Sequence, residues 1–181
     1  MFPEEEFISG QIKKAAAIIE DGGVTLFPTD TVCGLFASPR KPKAVKKIYK
    51  IKKRDLSKPL AMLVPDIDSI LEIVNKDSSL EKKLKENWPG AVTFILNTKD
   101  GETIGVRMPD FKPLLELLSM TGPLYATSAN ISGKPAPVKV SDVEEKVKSE
   151  CDIVVHLDIK SKGNPSSVID LTGAGEEVIR E

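Results

Sequence analysis

The sequence has few of the residues that form metal centres and covalent catalytic sites. Among its 181 residues are two cysteines, one histidine and one tryptophan. Cys33 and Cys151 are far apart and lack the CxxC spacing of zinc sites, so the sequence predicts free thiols and no metal site made of protein side chains alone. His156 lies in an apolar run, DIVVHL, which is more typical of a strand at the surface or the edge of the core. The sequence therefore offers no recognisable Ser-His or Cys-His pair for nucleophilic catalysis.

Long apolar runs are also absent. No segment approaches the ~18 apolar residues of a membrane span, and the N-terminal MFPEEEFISG is acidic, without the apolar stretch of a signal peptide. We therefore expect a cytoplasmic protein that does not bind membranes. With 40% hydrophobic residues and no repeat, low-complexity tract or linker, residues 1–181 are predicted to form one domain. A domain of this length buries roughly 70% of its unfolded surface.

Positive charge is concentrated in one part of the chain. The formal net charge is −1, yet residues 40–58, which we call the basic segment, hold ten basic residues and one acidic residue. Holding like charges together raises the free energy of a compact protein, so such a segment is typical of a surface that binds an anion. A solvated helix face is the alternative interpretation.

The pattern within the basic segment favours a phosphate site. Pro42 suits the first turn of a helix, and apolar residues then recur at three- and four-residue spacing, which leaves the lysines on faces turned to water. The helix is predicted to end near residue 53 or 54, and residues 60–64 to form a short buried strand. Lys52, Arg54 and Lys58 then fall on the loop between them, where a rigid scaffold can present ammonium and guanidinium groups to phosphate oxygens.

Helices and short strands alternate along the chain. Ser9 can cap the first helix, and Gly22-Gly23 can close it. Further helices are predicted over residues 42–53, 67–74, 79–87, 114–118 and 141–150, and strands over residues 24–27, 60–64, 91–97, 103–107, 124–127, 153–157, 168–171 and 178–180. These elements predict an α/β domain around a twisted sheet. Because the connections at residues 97–103 and 171–178 are too short for a helix, some strand pairs should be antiparallel and the sheet mixed.

Polar side chains follow two of these strands. Pro28-Thr29-Asp30-Thr31 comes directly after the first strand, and Ser128-Ala129-Asn130 follows the strand at residues 124–127. Each is either an ordinary turn or a site at a strand end. Arg107, the last residue of another strand, is either an edge residue on the surface or a partner for a carboxylate or phosphate.

Six motifs stand in order between residues 27 and 170, and with the segments that flank them they cover nearly the whole chain, from about residue 9 to residue 180. They are FPTDTVCGL (27–35), IKKRDLSKPLAMLV (51–64), WPGAVTFIL (88–96), TIGVRMP (103–109), TSANISGKPAP (127–137) and NPSSVID (164–170). Together they resemble the YrdC-like domain family. The most specific part is the K-x-R at Lys52 and Arg54 combined with the S-x-N at Ser128 and Asn130. The resemblance implies a twisted mixed sheet flanked by helices, with a concave, positively charged face.

The same resemblance implies an activity. The family includes the L-threonylcarbamoyladenylate synthases, nucleotidyltransferases that join L-threonine, bicarbonate and ATP to give threonylcarbamoyl-AMP and pyrophosphate. The product serves the N6-threonylcarbamoyladenosine modification at position 37 of tRNA, through a downstream threonylcarbamoyl transferase complex. Such a reaction needs no covalent nucleophile, because the protein has only to position the reactants and neutralise charge on the leaving pyrophosphate. Mg²⁺ would be held mainly by the nucleotide phosphates and water.

The resemblance also implies a role for each matching residue. Lys52 and Arg54 would be catalytic. ATP would contact Lys52, Arg54, Lys58, Thr103, Ser128, Asn130 and Arg180, and L-threonine would contact Thr31, Arg107 and Ser166. Cys33 stands where the family usually has tyrosine, and Leu63 where many longer members have histidine. These departures bear on which subfamily the chain represents.

Two other functions fit the same sequence. One is a module that binds structured RNA, either tRNA or double-stranded RNA, by charge and shape along the basic helix. The other is a family member that keeps the fold and the phosphate site but uses another nucleotide-dependent substrate. An RNA surface should depend on many lysines of the helix, whereas a nucleotide site should depend on a few convergent groups.

Overall fold

The structure is a computed structural model that describes residues 3–75, 78–157, 161 and 163–181. No helix in this described part is long and apolar enough to cross a membrane. Its helices are α1 (Pro3–Glu20), α2 (Pro42–Lys52), α3 (Asp68–Leu71), α4 (Ser78–Asn87), α5 (Lys112–Thr121) and α6 (Glu145–Glu150). Its strands are β1 (Thr25–Phe27), β2 (Gly34–Ala37), β3 (Ala61–Leu63), β4 (Val92–Asn97), β5 (Thr103–Arg107), β6 (Leu124–Ser128), β7 (Ile153–Val154), β8 (Ser167–Asp170) and β9 (Glu177–Arg180).

These strands form one mixed sheet in the order β7-β1-β2-β6-β3-β5-β4-β8-β9. The pairs β1–β7, β3–β5 and β4–β8 are parallel, and the other neighbouring pairs are antiparallel. The two short connections noted in the sequence join the antiparallel pairs β4–β5 and β8–β9. The predicted α/β fold with a mixed sheet is therefore confirmed.

One face of the sheet, the back face, is covered by helices along much of its width. Leu26 of β1 and Leu35 of β2 pack with Ile48 of α2. Farther along the sheet, Phe94 of β4 packs in a cluster with Leu84 of α4. The alternation of side chains along each strand explains this layer, since every second residue points to the same face.

The opposite, front face is covered only in part. Helices α1 and α5 pack against each other and, through residues such as Ile12 and Leu118, on Phe27, Phe36 and Leu63 of the sheet. The front-face residues of β4, β5 and β8 instead line an open cavity. The arrangement of the helices thus decides where on the sheet a ligand can bind.

Some of the predicted boundaries are wrong. Helix α1 begins at Pro3, so Ser9 lies inside the helix, and an acidic first turn rather than a serine cap suits its positive end. The helix expected from residue 141 is a 3₁₀ turn at Val140–Asp142 followed by α6 from Glu145. The strand expected over residues 153–157 has only two paired residues, because β7 lies at the sheet edge beside β1 alone.

Candidate active site

A cavity of about 470 Å³ opens on the front face of the sheet. Its floor consists of alternate residues from neighbouring strands, such as Thr103, Gly105 and Arg107 of β5. Residues i, i+2 and i+4 of a strand share one face, so a single strand carries side chains along the length of the cavity. The described residues that line it include no aspartate or glutamate. Arg54, Arg107 and Arg180 also line it, so the charge of the lining favours an anionic ligand.

Arg107 lies at the buried end of this row and is only 5% exposed. Its Nε donates to Gly90 O at 2.7 Å, its Nη1 donates to Thr31 Oγ1 at 3.0 Å, and its Nη2 forms an ion pair with Asp30. Burial lowers the pKa of the guanidinium, and the Asp30 carboxylate acts in the opposite direction. Because a guanidinium has five N–H groups, two remain after these three contacts. Of the two interpretations of Arg107, the structure supports the anion partner.

Hydroxyl groups fix the loop after β1 beside Arg107. Thr31 N donates to Thr29 Oγ1 at 3.0 Å, and Thr29 Oγ1 donates to Val32 O at 2.8 Å. The Thr31 hydroxyl is thereby held against the guanidinium. Thr29 and Thr31 of this segment both line the cavity, and their role in binding stays a prediction.

Asp30 is the charged partner of Arg107, a pairing that the sequence did not predict. It is 8% exposed, and its Oδ1 has no hydrogen-bond partner in the described part of the chain. The signal was present as an aspartate between two threonines directly after a buried strand. What the sequence lacked was the pairing of this loop with Arg107, which is distant along the chain.

Arg180 reaches the cavity because the last strand pair is irregular. The register of β8 with β9 shifts between Val168 and Ile169, so that Arg180 lies opposite Val168, a residue of the cavity wall. Without the shift, Ile179 would lie opposite Val168. A bulge re-aims a side chain in this way at many functional sites. Arg180 Nε and Nη2 then donate to Ser166 O at 3.0 and 2.7 Å.

Further hydroxyl residues line the cavity, among them Ser166, Thr103 and Ser128. Ser166 is 9% exposed, and its Oγ shares a hydrogen bond of 2.8 Å with Thr93 Oγ1 on β4. Thr103 is the first residue of β5 and lies at the exposed end of the cavity floor. Ser128 is the last residue of β6, opposite Gly34 of β2.

Lys52 is the last residue of α2, so its expected place on the following loop is wrong. Its ammonium is buried under the turn after β6, where it donates to Ser128 O, to Asn130 O at 2.8 Å and to Asn130 Oδ1 at 3.1 Å. Burial lowers the pKa of Lys52 from 10.5 to about 8, and the charge of Arg54 lowers it too. All three acceptors are neutral oxygens of the protein. In this structure Lys52 fixes the turn at Ser128 and Asn130.

The other two cations of this region differ in their placement. Arg54 lines the cavity, and its Nε and Nη2 donate to Lys58 O and Pro59 O, each at 3.0 Å. Lys53 has a left-handed conformation, with φ of 49°, and ends α2 just before Arg54. The Lys58 side chain is exposed and is not part of the cavity wall. Lys58 instead contributes its carbonyl, which orients Arg54.

The structure thus divides the predicted site residues into two groups. The cavity wall contains Thr31, Arg54, Thr103, Arg107, Ser128, Ser166 and Arg180. Lys52, Lys58 and Asn130 lie outside it, and Asn130 Nδ2 donates to Ile131 O at 3.1 Å and Lys134 O at 2.6 Å within its own turn. No group of three histidine, cysteine or acidic side chains among the described residues could hold a metal ion. Which ligand each residue contacts stays a prediction.

The chain resembles characterised proteins over most of its length. A family model named Sua5_yciO_yrdC and described as "Telomere recombination" matches residues 17–181. The threonylcarbamoyl-AMP synthase of Bacillus subtilis is 40% identical over 145 residues, which are 74% of this chain and 42% of that protein. The putative threonylcarbamoyl-AMP synthase of Methanocaldococcus jannaschii is 34% identical over 160 residues, 84% of this chain and 76% of that protein. The threonylcarbamoyl-AMP synthase of Pseudomonas paraeruginosa is 32% identical over 169 residues, 87% of this chain and 90% of that protein.

Solved structures share the fold. Pyrococcus abyssi Sua5 complexed with L-threonine matches with a TM-score of 0.86 and 32% identity, over 93% of this chain and 53% of that one. Escherichia coli YciO matches with a TM-score of 0.84 and 26% identity, over 94% of this chain and 88% of that one. The chain therefore spans about half of the P. abyssi protein and less than half of the B. subtilis synthase.

Proposed function

This chain belongs to the Sua5–YciO–YrdC family, and from that premise we propose that it is an L-threonylcarbamoyladenylate synthase. The proposed reaction condenses the amine of L-threonine with bicarbonate, releasing water, to give a carbamate. A carbamate oxygen then forms a bond to the α-phosphorus of ATP, and pyrophosphate leaves. The observation that carries the proposal is a single cavity with a buried arginine at one end and two further arginines, Arg54 and Arg180, in its wall.

The buried end suits the threonine carboxylate. Arg107 keeps two N–H groups after binding Gly90, Thr31 and Asp30, and an arginine binds a carboxylate well through two parallel donors. Asp30 holds the guanidinium in place in the absence of a ligand. The Thr31 and Ser166 hydroxyls, which also line the cavity, supply further hydrogen bonds to the amino acid.

The remainder of the cavity suits the nucleotide. Arg54 and Arg180 would lie beside the phosphates, and Thr103 and Ser128 would donate or accept hydrogen bonds along the nucleotide. Charge grows on the leaving pyrophosphate, so fixed cations beside the phosphates lower the barrier. ATP would enter as its Mg²⁺ complex, with the ion held mainly by phosphate oxygens and water. This arrangement does not need Lys52 or Lys58 in the cavity wall.

The product and its partners extend the proposal. Threonylcarbamoyl-AMP is a reactive mixed anhydride, and we expect a threonylcarbamoyl transferase complex to transfer its acyl group to adenosine 37 of tRNA in the cytoplasm. Exposed lysines of α2, Lys43, Lys46 and Lys50, are the candidates for any direct contact with RNA.

Pyrophosphate release from ATP tests the proposed function. We expect release to require both L-threonine and bicarbonate, and to be faster with threonine than with serine. The preference should be modest, since one buried methyl group is worth roughly 1 to 3 kcal/mol. Assays that omit one reactant at a time are the control. Equal release without threonine would instead favour a family member with another substrate.

A further inference from the structure

We propose that Gly105 has a positioning role in the reaction: its missing side chain leaves room for the junction between the carbamate and the α-phosphate. The inference rests on the proposed function, because it assigns the two ends of the cavity to threonine and nucleotide. Gly105 lines the cavity as the middle residue of the front-face row of β5.

Its position in that row lies between the two ends of the cavity. Arg107, at the buried end, and Thr103, at the exposed end, are each two residues away. Two residues of an extended strand span about 7 Å, so the surface above Gly105 is within reach of groups bound at both ends. In the proposed complex, the bond between the two substrates forms directly above Gly105.

The fold itself gives no reason for glycine at this position. Gly105 is not among the glycines with positive φ, so its backbone conformation is open to any residue. An added Cβ would be 3.6 Å from Thr93 Cγ2 and 4.0 Å from Ala61 Cβ, which are ordinary van der Waals distances. Glycine inside a strand also weakens the strand, because it costs backbone entropy and packs no side chain.

Gly34, another glycine of the cavity, provides the contrast. A Cβ at Gly34 would lie 2.8 Å from the ring of Phe36, so packing within the protein excludes a side chain there. At Gly105 the only space that a methyl group would fill is the cavity. Close approach of a ligand to the backbone is the remaining physical reason for a glycine.

The chemistry of the junction explains why this space matters. The carbamate oxygen, the α-phosphorus and the departing oxygen must lie in line, and a displacement of about 1 Å can cost 10²-fold in rate. The neighbouring floor residues Ala61 and Ala126 are also small, so their side chains project little into the cavity. A methyl group at residue 105 would lift the reacting atoms from the floor while leaving the two ends of the cavity intact.

The test compares Gly105→Ala and Gly105→Val with Gly10→Ala, a glycine of α1 whose added Cβ meets nothing within 4 Å. We expect all three variants to melt no lower than the wild type. Gly105→Ala should form threonylcarbamoyl-AMP at least tenfold more slowly and Gly105→Val at least a hundredfold more slowly, while Gly10→Ala keeps the wild-type rate. L-threonine alone should still raise the melting temperature of Gly105→Ala, because its subsite at Arg107 is unchanged.

Three outcomes would overturn the inference. A rate for Gly105→Ala within twofold of the wild type would mean that a methyl group at residue 105 fits in the cavity beside the bound substrates. A melting temperature of Gly105→Ala well below that of the wild type would mean that the fold requires the glycine. If the wild type itself forms no product, the proposed function fails and the inference fails with it, whereas either of the first two outcomes overturns the inference alone.

Discussion

Arg54 combines two tasks that a lysine cannot perform together. Its Nε and Nη2 hold the carbonyls of Lys58 and Pro59, which leaves Nη1 without an acceptor among the described residues. We predict that Arg54→Lys, which keeps the charge but loses the planar fork, lowers kcat/KM. The activation free energy that corresponds to kcat/KM should rise by roughly 2 to 4 kcal/mol. The loss should fall mainly on kcat, because charge on the phosphates grows as pyrophosphate leaves. Steady-state kinetics with ATP as the varied substrate measure it.

Lys46→Arg is the matched control for this substitution, since Lys46 is an exposed residue of the same basic segment. Lys47 would be a poor control because its ammonium binds both carboxylate oxygens of Asp152, at 2.7 and 2.8 Å. Lys47, expected to face water with the other helix lysines, does so only in part, whereas Lys52, expected on the following loop, is buried. If Arg54→Lys loses no more activity than Lys46→Arg does, Arg54 is a surface charge and the phosphate end of the site is misplaced.

Single residues were predictable where their chemistry is unusual for their surroundings. Arg107 in an apolar strand and the threonines after β1 stood out in the sequence, and in the structure Arg107 Nη1 lies 3.0 Å from Thr31 Oγ1. The burial of Lys52 was not predictable, because a lysine near a helix end in a run of lysines is usually solvated. Its acceptors come from residues 128 and 130, and no local pattern encodes that encounter.

At the scale of elements, the end of α2 is joined to the turn after β6. Besides the three contacts of the Lys52 ammonium, Ser132 N donates to Lys52 O at 2.8 Å. We predict that Lys52→Met lowers the free energy of unfolding by about 1 to 3 kcal/mol, because buried carbonyl oxygens lose their donor. ATP affinity should fall with it, since Ser128 lies both in this turn and in the cavity wall. Urea unfolding and calorimetric titration with ATP measure the two effects.

Lys50→Met provides the control for Lys52→Met, because the exposed Lys50 side chain lies on the same helix two residues earlier. It should change neither stability nor ATP affinity appreciably. Should Lys52→Met lose ATP binding while keeping full stability, Lys52 would contact phosphate directly, as the family resemblance implies, and its contacts in the turn would be incidental.

Elements were easier to predict than their pairing. The strand at residues 103–107 has the predicted bounds and most others differ by a residue or two, because short apolar runs between turns are a local signal. The exceptions are β7, which is three residues shorter than predicted, and β2, which was not predicted. The order of the nine strands and the shift between β8 and β9 depend on contacts distant in sequence. Since a shift of one residue moves a side chain to the other face, the place of Arg180 in the cavity could come only from the resemblance or the structure.

For the molecule as a whole, the basic segment is less of a uniform charged surface than its sequence indicates. Arg40 pairs with Glu20 at 2.8 Å, Lys47 pairs with Asp152, and Lys52 is buried. Arg54 lies in the cavity wall instead of on the helix face. The segment thus divides into structural ion pairs, a cavity cation and a smaller set of exposed lysines. This division favours a site with a few convergent groups over an extended RNA-binding face.

The thiols of Cys33, which is buried, and Cys151, which is half-buried, make the stability of the whole molecule depend on pH. Burial raises the pKa of Cys33 from 9.0 to about 11 and that of Cys151 from 9.0 to about 12. The unfolded chain releases both protons near pH 9, whereas the folded protein keeps them. The stability that these thiols contribute is therefore fully present below pH 9 and is lost as the pH rises through 9 towards 11 and 12.

We predict that at pH 10 the wild type has lost about 1 kcal/mol of unfolding free energy per thiol relative to pH 8, beyond any change shared with a variant that lacks both thiols. Replacing both residues, Cys33→Ala and Cys151→Ala, lowers stability by a constant amount because each leaves a small cavity, but it removes this alkaline loss. Lys52, whose pKa is lowered to about 8, has the opposite effect between pH 8 and 10.5. That effect is common to both proteins and cancels in the comparison.

Urea unfolding of the wild type, the double variant and each single variant at pH 7, 8, 9 and 10 measures the difference, and each single variant should remove about half of it. Curves that run parallel through pH 10 would mean that the thiols titrate alike in the folded and unfolded chains, and that neither is as well shielded from water as its place in the structure requires.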